Sequence, residues 1–321
     1  METTNAFQAP CEMPVVGRMA PTPSADMHVG NIFSCLVAWL CARSANGRIV
    51  LRIEDLDEAR CSQAHADSIM RDLETLGLFW DNAEVVVYQS KRREAYDEAF
   101  AMLDAEQRVY PCFCSRADLH AASAPHVGER YLYQGTCREL SPDEIAERAT
   151  KRKPAMRLRV ENRRIEIDDL IQGRFAQNLE TECGDFIIRR SDGVYSYQLA
   201  VVVDDLYQGV NQVVRGLDLL DSAPQQSYLR ELIARESPTI SYAHVPLLVD
   251  EQGRRLSKRN HDQSLQGMLD HFKSVEHFIG RVAYLTGLIE REEPLTAADL
   301  VDEFDPEKLA GKRVIAWSLP E

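Results

Sequence analysis

Segments of two periodicities alternate over the first third of the chain, and this alternation restricts the fold more than any other feature. Val15 to Met19 reads as a short strand. It runs into Pro21-Thr22-Pro23, a rigid turn that a helix cannot cross. From about Asn31 to Ala45, residues Ile32, Leu36, Trp39 and Leu40 recur at helical spacing, with Asn46-Gly47 as a stop. Ile49 to Ile53 is a second strand, and a helix from about Ser62 to Leu76 is closed by Gly77. Val85 to Tyr88 is a third strand and Arg92 to Glu106 a third helix. Strand, helix, strand, helix in this order predicts an α/β fold of the Rossmann type, with parallel strands joined by helical crossovers.

The rhythm breaks at Tyr110. From there to about Cys183 the chain is rich in turns and cysteines and holds one arginine-flanked strand, Ala155 to Val160, which reads as an insertion. The pattern resumes with expected strands at Phe186 to Ile188 and Leu199 to Val203, a helix from Gln225 to Glu236, and a last strand from His244 to Val249. Phe278, Val282, Leu285 and Leu288 then mark a helical tail. The expected organisation is a flexible tail (1–14), a discontinuous catalytic body (15–109 and 184–260), an insertion (110–183) and a helical C-terminal subdomain (261–321).

A chain of 321 residues, 45% hydrophobic and 27% charged, can bury a sizeable core. The longest apolar runs are too short or too interrupted to span a bilayer, so no membrane partner is expected. Met1 to Pro14 lacks a basic start followed by an apolar stretch, so a cytoplasmic location is expected. A net charge of −14 argues against a general nucleic-acid binder but leaves room for local basic patches such as Lys151-Arg152-Lys153 and Arg163-Arg164.

Four clusters could carry chemistry. His28-Val29-Gly30-Asn31 stands at a helix start, where free N–H groups favour phosphate. Gly30 would let a ligand approach the backbone closely. The plain alternative is a capping histidine. Far downstream, Arg255-Leu256-Ser257-Lys258-Arg259 is a short basic loop whose lysine could stabilise charge developing on phosphorus, or could simply be a solvated turn. Glu54, Asp55 and Asp57 cluster three carboxylates where a strand ends, suited to a substrate ammonium or to Mg²⁺, or simply forming a polar loop after the strand; Asp204-Asp205 has the same ambiguity. Arg18 and Arg215 lie at or near strand ends and could form forks for carboxylates or ordinary surface ion pairs.

The chain has eight cysteines, and without a signal peptide they read as thiols or metal ligands rather than disulfides. Cys112, Cys114 and Cys137 supply three thiolates of a tetrahedral zinc site. Tyr133, His120, His126 and Cys183 are candidates for the fourth ligand.

The pairing of His28-Val29-Gly30-Asn31 with Arg255-Leu256-Ser257-Lys258-Arg259 resembles the HIGH and KMSKS signatures of class I aminoacyl-tRNA synthetases. Arg18-Met19-Ala20-Pro21-Thr22-Pro23-Ser24, Arg52-Ile53-Glu54-Asp55-Leu56-Asp57, Tyr197 to Asp205 and Val214-Arg215-Gly216 resemble further segments of the glutamyl group. Residues 260–321 leave space for a small helical subdomain and not for a large anticodon-binding region. The chain is therefore most similar to the truncated glutamyl-Q tRNA(Asp) branch of that family. Val201, apolar where full-length enzymes usually carry asparagine, agrees.

The resemblance implies activation of L-glutamate with ATP and Mg²⁺, then transfer of the glutamyl group to queuosine in the anticodon stem-loop of tRNA(Asp), by a monomer. It implies a glutamate pocket of Arg18, Met19, Ala20, Pro21, Thr22, Glu54, Tyr197 and Arg215. It implies ATP contacts from His28, Gly30, Asn31, Arg255, Leu256, Ser257 and Lys258, with His28, Gly30 and Lys258 in the catalytic role. It also implies a structural zinc on Cys112, Cys114, Tyr133 and Cys137. A glutamyl-tRNA synthetase lacking its anticodon domain and a non-catalytic module of the same fold are the rival expectations. The sequence departs from the family pattern at Asn31, which replaces the second histidine of HIGH, at Arg255, at Thr22, and at Ala25, where a glycine is usual.

Overall fold

A computed structural model describes residues 13–115, 118, 132–250, 252–254, 256 and 264–320. Three parallel strands open the chain: β1 (Val16–Met19), β2 (Arg48–Ile53) and β3 (Val87–Tyr88). Between them run α1 (Val29–Ser44) and α2 (Gln63–Thr75). The helix α1 is buried without a break from Leu36 to Ala42, because strands lie on one side and the C-terminal helices on the other. Asn46 ends it in the left-handed region at φ 51°, a conformation asparagine tolerates. The helix α2 is amphipathic and begins at Ser62, whose hydroxyl caps the His65 N–H.

After α3 (Arg93–Ala105), the strands β4 (Val109–Cys112), β5 (Ala155–Leu158) and β8 (Phe186–Arg189) form a separate antiparallel sheet. Between β4 and β5 lies α4 (Pro142–Lys151), closed at its start by a capping box of Ser141 and Glu144. The hairpin of β6 (Arg164–Asp169) and β7 (Gly173–Asn178) falls inside the segment expected to be an insertion. It nevertheless extends a second sheet ordered β7-β6-β10-β9, with β9 (Gln212–Gly216) and β10 (Ser241–Val245).

The two main sheets meet at β1 and β9. The Asn211 N–H donates to the Val16 carbonyl at 3.1 Å, and the Val16 N–H donates to the Asn211 side chain at 2.8 Å. Seen across both sheets, the chain leaves β1 in one direction toward β2 and β3, and β9 leads the other way toward β10 and β6. Ligands of open α/β sheets bind at such a switch point, at the carboxyl ends of the strands.

Three expectations need correction. Leu199 to Val203 is not a strand but the middle of helix α5 (Tyr197–Tyr207). Every residue from Leu199 to Asp205 is buried, so the run carries no amphipathic period and a helix cannot be told from a strand by pattern. The single strand expected from His244 to Val249 is two, β10 and β11 (Leu247–Val249), broken at Pro246, which lacks a ladder N–H. The C-terminal part, with α6 (Ser222–Ile233) before it and α7 (Leu265–Leu269) and α8 (Val275–Thr286) within it, is not wholly helical. It ends in β12 (Val314–Ala316), which pairs with β11 in parallel. No helix among the described residues is long and apolar enough to cross a membrane.

Candidate active site

The cleft at the switch point holds about 340 Å³. Its floor is the end of β1 and the loop after it, Arg18 to Thr22. Hydrogen bonds fix that loop: the Glu54 N–H donates to the Pro21 carbonyl at 3.0 Å and the Ser62 N–H to the Pro23 carbonyl at 3.1 Å. Ala25 also lines the cleft; the positive-φ residues among those described that are not glycine are Asn46 and Gln107, so the replaced glycine is not needed for a left-handed turn.

His28 is the N-cap of α1. Its Nδ1 accepts the Gly30 N–H at 3.1 Å, so the neutral ring carries its proton on Nε2 and presents a donor there. A Cβ on Gly30 would stand 3.0 Å from that ring, so glycine lets the imidazole fold back over the helix start. The first turn of α1 has no acidic residue, which keeps the positive end of its dipole uncompensated.

Arg18 and Arg215 enter from the adjoining strands. Arg18 is 4% exposed and donates to the Val214 carbonyl at 2.6 Å, while its Nε has no partner. Burial lowers its pKa, and the neighbouring Arg215 lowers it further against the pull of Asp205. Arg215 donates to His244 Nε2 at 3.0 Å, Gln226 at 2.6 Å, the Tyr197 hydroxyl at 3.2 Å and the Leu219 carbonyl at 3.2 Å, all of them uncharged groups or, for His244, a ring nitrogen acting as acceptor. Among the described residues neither guanidinium has a carboxylate within ion-pair range, whereas nearby Arg52 is paired to Asp205 at 2.7 Å and Arg92 to Asp204 at 3.0 Å. Two buried cations with no directly ion-paired carboxylate among the described residues make a cleft shaped for an anion.

Glu54 faces the same cleft and binds Arg52 through one oxygen at 3.2 Å. Burial raises its pKa above the ordinary carboxylate value, while Arg52 and Arg18 oppose the rise. Asp204 and Asp205 resolve their ambiguity as scaffold. Asp204 accepts from Gln89, Arg92 and the Tyr96 hydroxyl, and Asp205 holds Arg52, which in turn orients Glu54. Asp55 is likewise committed, accepting from the Ser90 N–H and hydroxyl.

The structure thus brings Arg18, Met19, Ala20, Pro21, Thr22, His28, Gly30, Asn31, Glu54, Tyr197, Arg215 and Leu256 to one cleft. Arg255, Ser257 and Lys258 lie outside the described residues. Leu256 lines the cleft, and Ser264 is bridged to His28, so the described positions on both sides of 257–263 adjoin the α1 terminus.

A second site lies off the end of β4. The sulfurs of Cys112, Cys114 and Cys137 lie within 4.8 Å of one another, with Cys114 and Cys137 at 3.7 Å. Ligands about 2.3 Å from one tetrahedral ion stand about 3.8 Å apart, so the spacing suits a metal. The Tyr133 hydroxyl is 3.5 Å from Cys112 Sγ and accepts the Cys137 N–H at 2.8 Å. Cys137 Sγ accepts the Phe113 N–H at 3.5 Å. Burial opposes ionisation of Cys112, but Tyr133 and Arg157 outweigh it and lower its pKa; burial and the Cys112 sulfur push Cys114 up to about 12. A divalent cation would allow all three to ionise together. Cys183 is not part of the cluster, and His120 and His126 lie outside the described residues.

Comparison with known proteins decides the family. Residues 14–309 match class I tRNA synthetases (E and Q), catalytic domain.

The chain belongs to that family.

This synthetase is 45% identical over 301 residues to the glutamyl-Q tRNA(Asp) synthetase of Symbiobacterium thermophilum, covering 90% of this chain and 92% of that one. It is 40% identical over 294 residues to the corresponding protein of Nitratidesulfovibrio vulgaris, covering 89% and 90%. Among solved structures, the glutamate tRNA ligase from Elizabethkingia meningosepticum, in complex with its amino acid, superposes with a TM-score of 0.80 at 25% identity, over 96% of this chain and 68% of that one. By these relatives the chain groups with the glutamyl-Q tRNA(Asp) branch.

Residue patterns alone do not reveal several parts of the synthetase site. Asp26, Ser34, Cys35 and Asp218 line the cleft from ordinary helix and loop sequence. His244 and Asp169, buried behind Arg215, come from strands far apart in the chain, and no local signal in the sequence links them.

Proposed function

We propose that this cleft joins L-glutamate to ATP as glutamyl-adenylate and that the glutamyl group passes to queuosine at the wobble position of tRNA(Asp), in the cytoplasm and as a monomer. The observation that carries the reading is the pair of buried guanidinium groups, Arg18 and Arg215, with no direct carboxylate partner among the described residues, in one cleft with Glu54. A dicarboxylic amino acid supplies what they lack: carboxylates for the arginines and an ammonium for Glu54. Met19, Ala20, Pro21 and Thr22 wall the amino-acid side of the pocket, and Tyr197 holds Arg215.

At the other end, His28, Gly30 and Asn31 at the positive terminus of α1 suit the ATP phosphates. Arg255, Leu256, Ser257 and Lys258 would close over the same phosphates, with Lys258 meeting charge that develops on the α-phosphorus as pyrophosphate leaves. The glutamate carboxylate attacks in line, and Mg²⁺ accompanies the nucleotide. The protein contributes position and charge and forms no covalent intermediate.

Glutamate-dependent exchange of pyrophosphate into ATP tests the first step, with aspartate and glutamine as controls. Glutamylation of tRNA(Asp) with and without queuosine tests the second. Charging of tRNA(Glu) at its 3′ end would instead mark a truncated glutamyl-tRNA synthetase, and no exchange with any amino acid would mark a binding module.

Glu54 must be ionised to receive an ammonium, and burial raises its pKa. As pH falls, Glu54 therefore protonates earlier than an exposed glutamate, and the KM for glutamate should begin to climb above the usual carboxylate range. E54Q should raise that KM and flatten its pH dependence, measured by exchange across the acid-to-neutral range.

We also propose zinc as the metal of Cys112, Cys114, Tyr133 and Cys137, since thiolates in tetrahedral spacing select it. Its contribution would be structural, tying β4 to the turn around Cys137. Removing it with a chelator should speed hydrogen exchange across residues 110–115 and 132–140 before any change at the cleft. Metal analysis of the native protein showing no zinc would require another role for the thiols.

A further inference from the structure

Behind Arg215 stand two buried groups that do not themselves line the cleft: Asp169 at the end of β6 and His244 in β10. Asp169 Oδ1 accepts three backbone N–H groups, from Ile171 at 3.0 Å, Gln172 at 2.8 Å and His244 at 3.1 Å. Its other oxygen is 2.5 Å from His244 Nδ1. On the far side of the ring, Arg215 Nε is 3.0 Å from His244 Nε2. An arginine Nε–H can only donate. Nε2 must therefore hold a lone pair, and the ring proton sits on Nδ1, facing the carboxylate. The three groups form one line from Asp169 through His244 to Arg215, and His244 is fully buried within it.

We propose that Asp169 and His244 are positioning residues for Arg215: the carboxylate selects the Nδ1–H tautomer, and the resulting Nε2 acceptor aims the guanidinium into the cleft. A ring held between a cation and an anion settles neutral only if the proton stays toward the anion. Burial and Arg215 lower the His244 pKa, with Arg18 acting the same way against the pull of Asp169, so the ring remains an acceptor. The stacked Tyr242 ring, 6.0 Å away, completes its surroundings. Carboxylates that fix histidine tautomers do the same for metal ligands and for catalytic histidines. Here the dependent group is an arginine.

The inference rests on the proposed amino-acid cleft for its kinetic consequence, but its core is the tautomer. The test uses the whole protein with ¹⁵N-labelled histidine. Nitrogen NMR, with the ring assigned by its loss in H244Q, should show Nδ1 protonated and Nε2 bare. In D169N the amide would donate to Nδ1, move the proton to Nε2 and set it against the Arg215 N–H. D169N keeps an oxygen for the three backbone N–H groups, so the fold should hold, as circular dichroism would verify. The KM for glutamate should then rise about 10- to 100-fold, the range for losing one hydrogen bond to a charged group, with the KM for ATP steady. H244Q, whose Oε1 can take the place of Nε2, should lose little by the same measure, whereas H244L should lose as much as D169N.

A wild-type ring protonated on Nε2, or on both nitrogens, overturns the proposal. So do equal losses in H244Q and H244L, or a KM for ATP that rises with that for glutamate, since both describe mere scaffold. Should the wild-type protein exchange no pyrophosphate with any amino acid, the reading of the cleft fails, and the NMR result still decides the tautomer by itself.

Discussion

Arg18→Met should make the protein more stable and nearly inactive. Arg18 is buried, has one carbonyl partner and an unpartnered Nε, and lacks a carboxylate neighbour in ion-pair range among the described residues. A cation in that position costs folding free energy, and an apolar chain of similar length removes the cost. Replacing buried charges by apolar groups stabilises by about 1–4 kcal/mol in favourable cases, so the thermal midpoint should rise by several degrees. Truncating one member of a buried charge pair costs roughly 2–5 kcal/mol of binding, and here the other member is the substrate. The kcat/KM for glutamate in pyrophosphate exchange should fall by about 30-fold or more. A midpoint that drops together with activity would mean that Arg18 has a structural partner and is not held ready for an anion. Opposite movement of stability and activity is the signature of a residue kept for its ligand.

Lys258→Ala should act on the other half of the reaction. Losing one donor aimed at developing charge raises a barrier by about 2.7–4 kcal/mol, so adenylate formation should slow by roughly 100- to 1,000-fold. The protein should keep its stability, since a single lysine in a basic loop contributes little to folding. It should also keep its affinity for glutamate, because Arg18, Arg215 and Glu54 would be untouched. A near-normal exchange rate would remove Lys258 from the mechanism. A rate loss accompanied by weaker glutamate binding would show that the loop also shapes the amino-acid pocket.

The sheet at the front of the chain was legible because each of its elements keeps a clean period and a clear stop. Asn46 does take the left-handed turn that ends α1, and Gly77 the one that follows α2. Arg18, His28, Gly30, Glu54 and Arg215 could be named because they sit where strands end or a helix starts, whereas Met19, Ala20, Thr22 and Tyr197 came only from the family resemblance. What escaped reading was decided by distant contacts. Leu199 to Val203 looks like a strand because it is apolar and β-branched, and only burial on every side makes it a helix. The β6–β7 hairpin has ordinary alternation, and nothing local tells that it joins β10 rather than its cysteine-bearing neighbours. The Asp169–His244–Arg215 line joins three strands, and no short motif could contain it.

The junction of β1 with β9 has a consequence for synthesis. The arginines of the proposed pocket are contributed by the first and ninth strands, and the second of them is hydrogen-bonded to a histidine of the tenth. A nascent polypeptide could close its leading three-stranded layer early and still possess no receptor for an amino acid. Recognition would arrive late and abruptly, when the trailing layer docks, and long-range pairing of this kind is slow to nucleate. Until that moment the cationic end of the first strand would be open to water, where its charge carries no penalty.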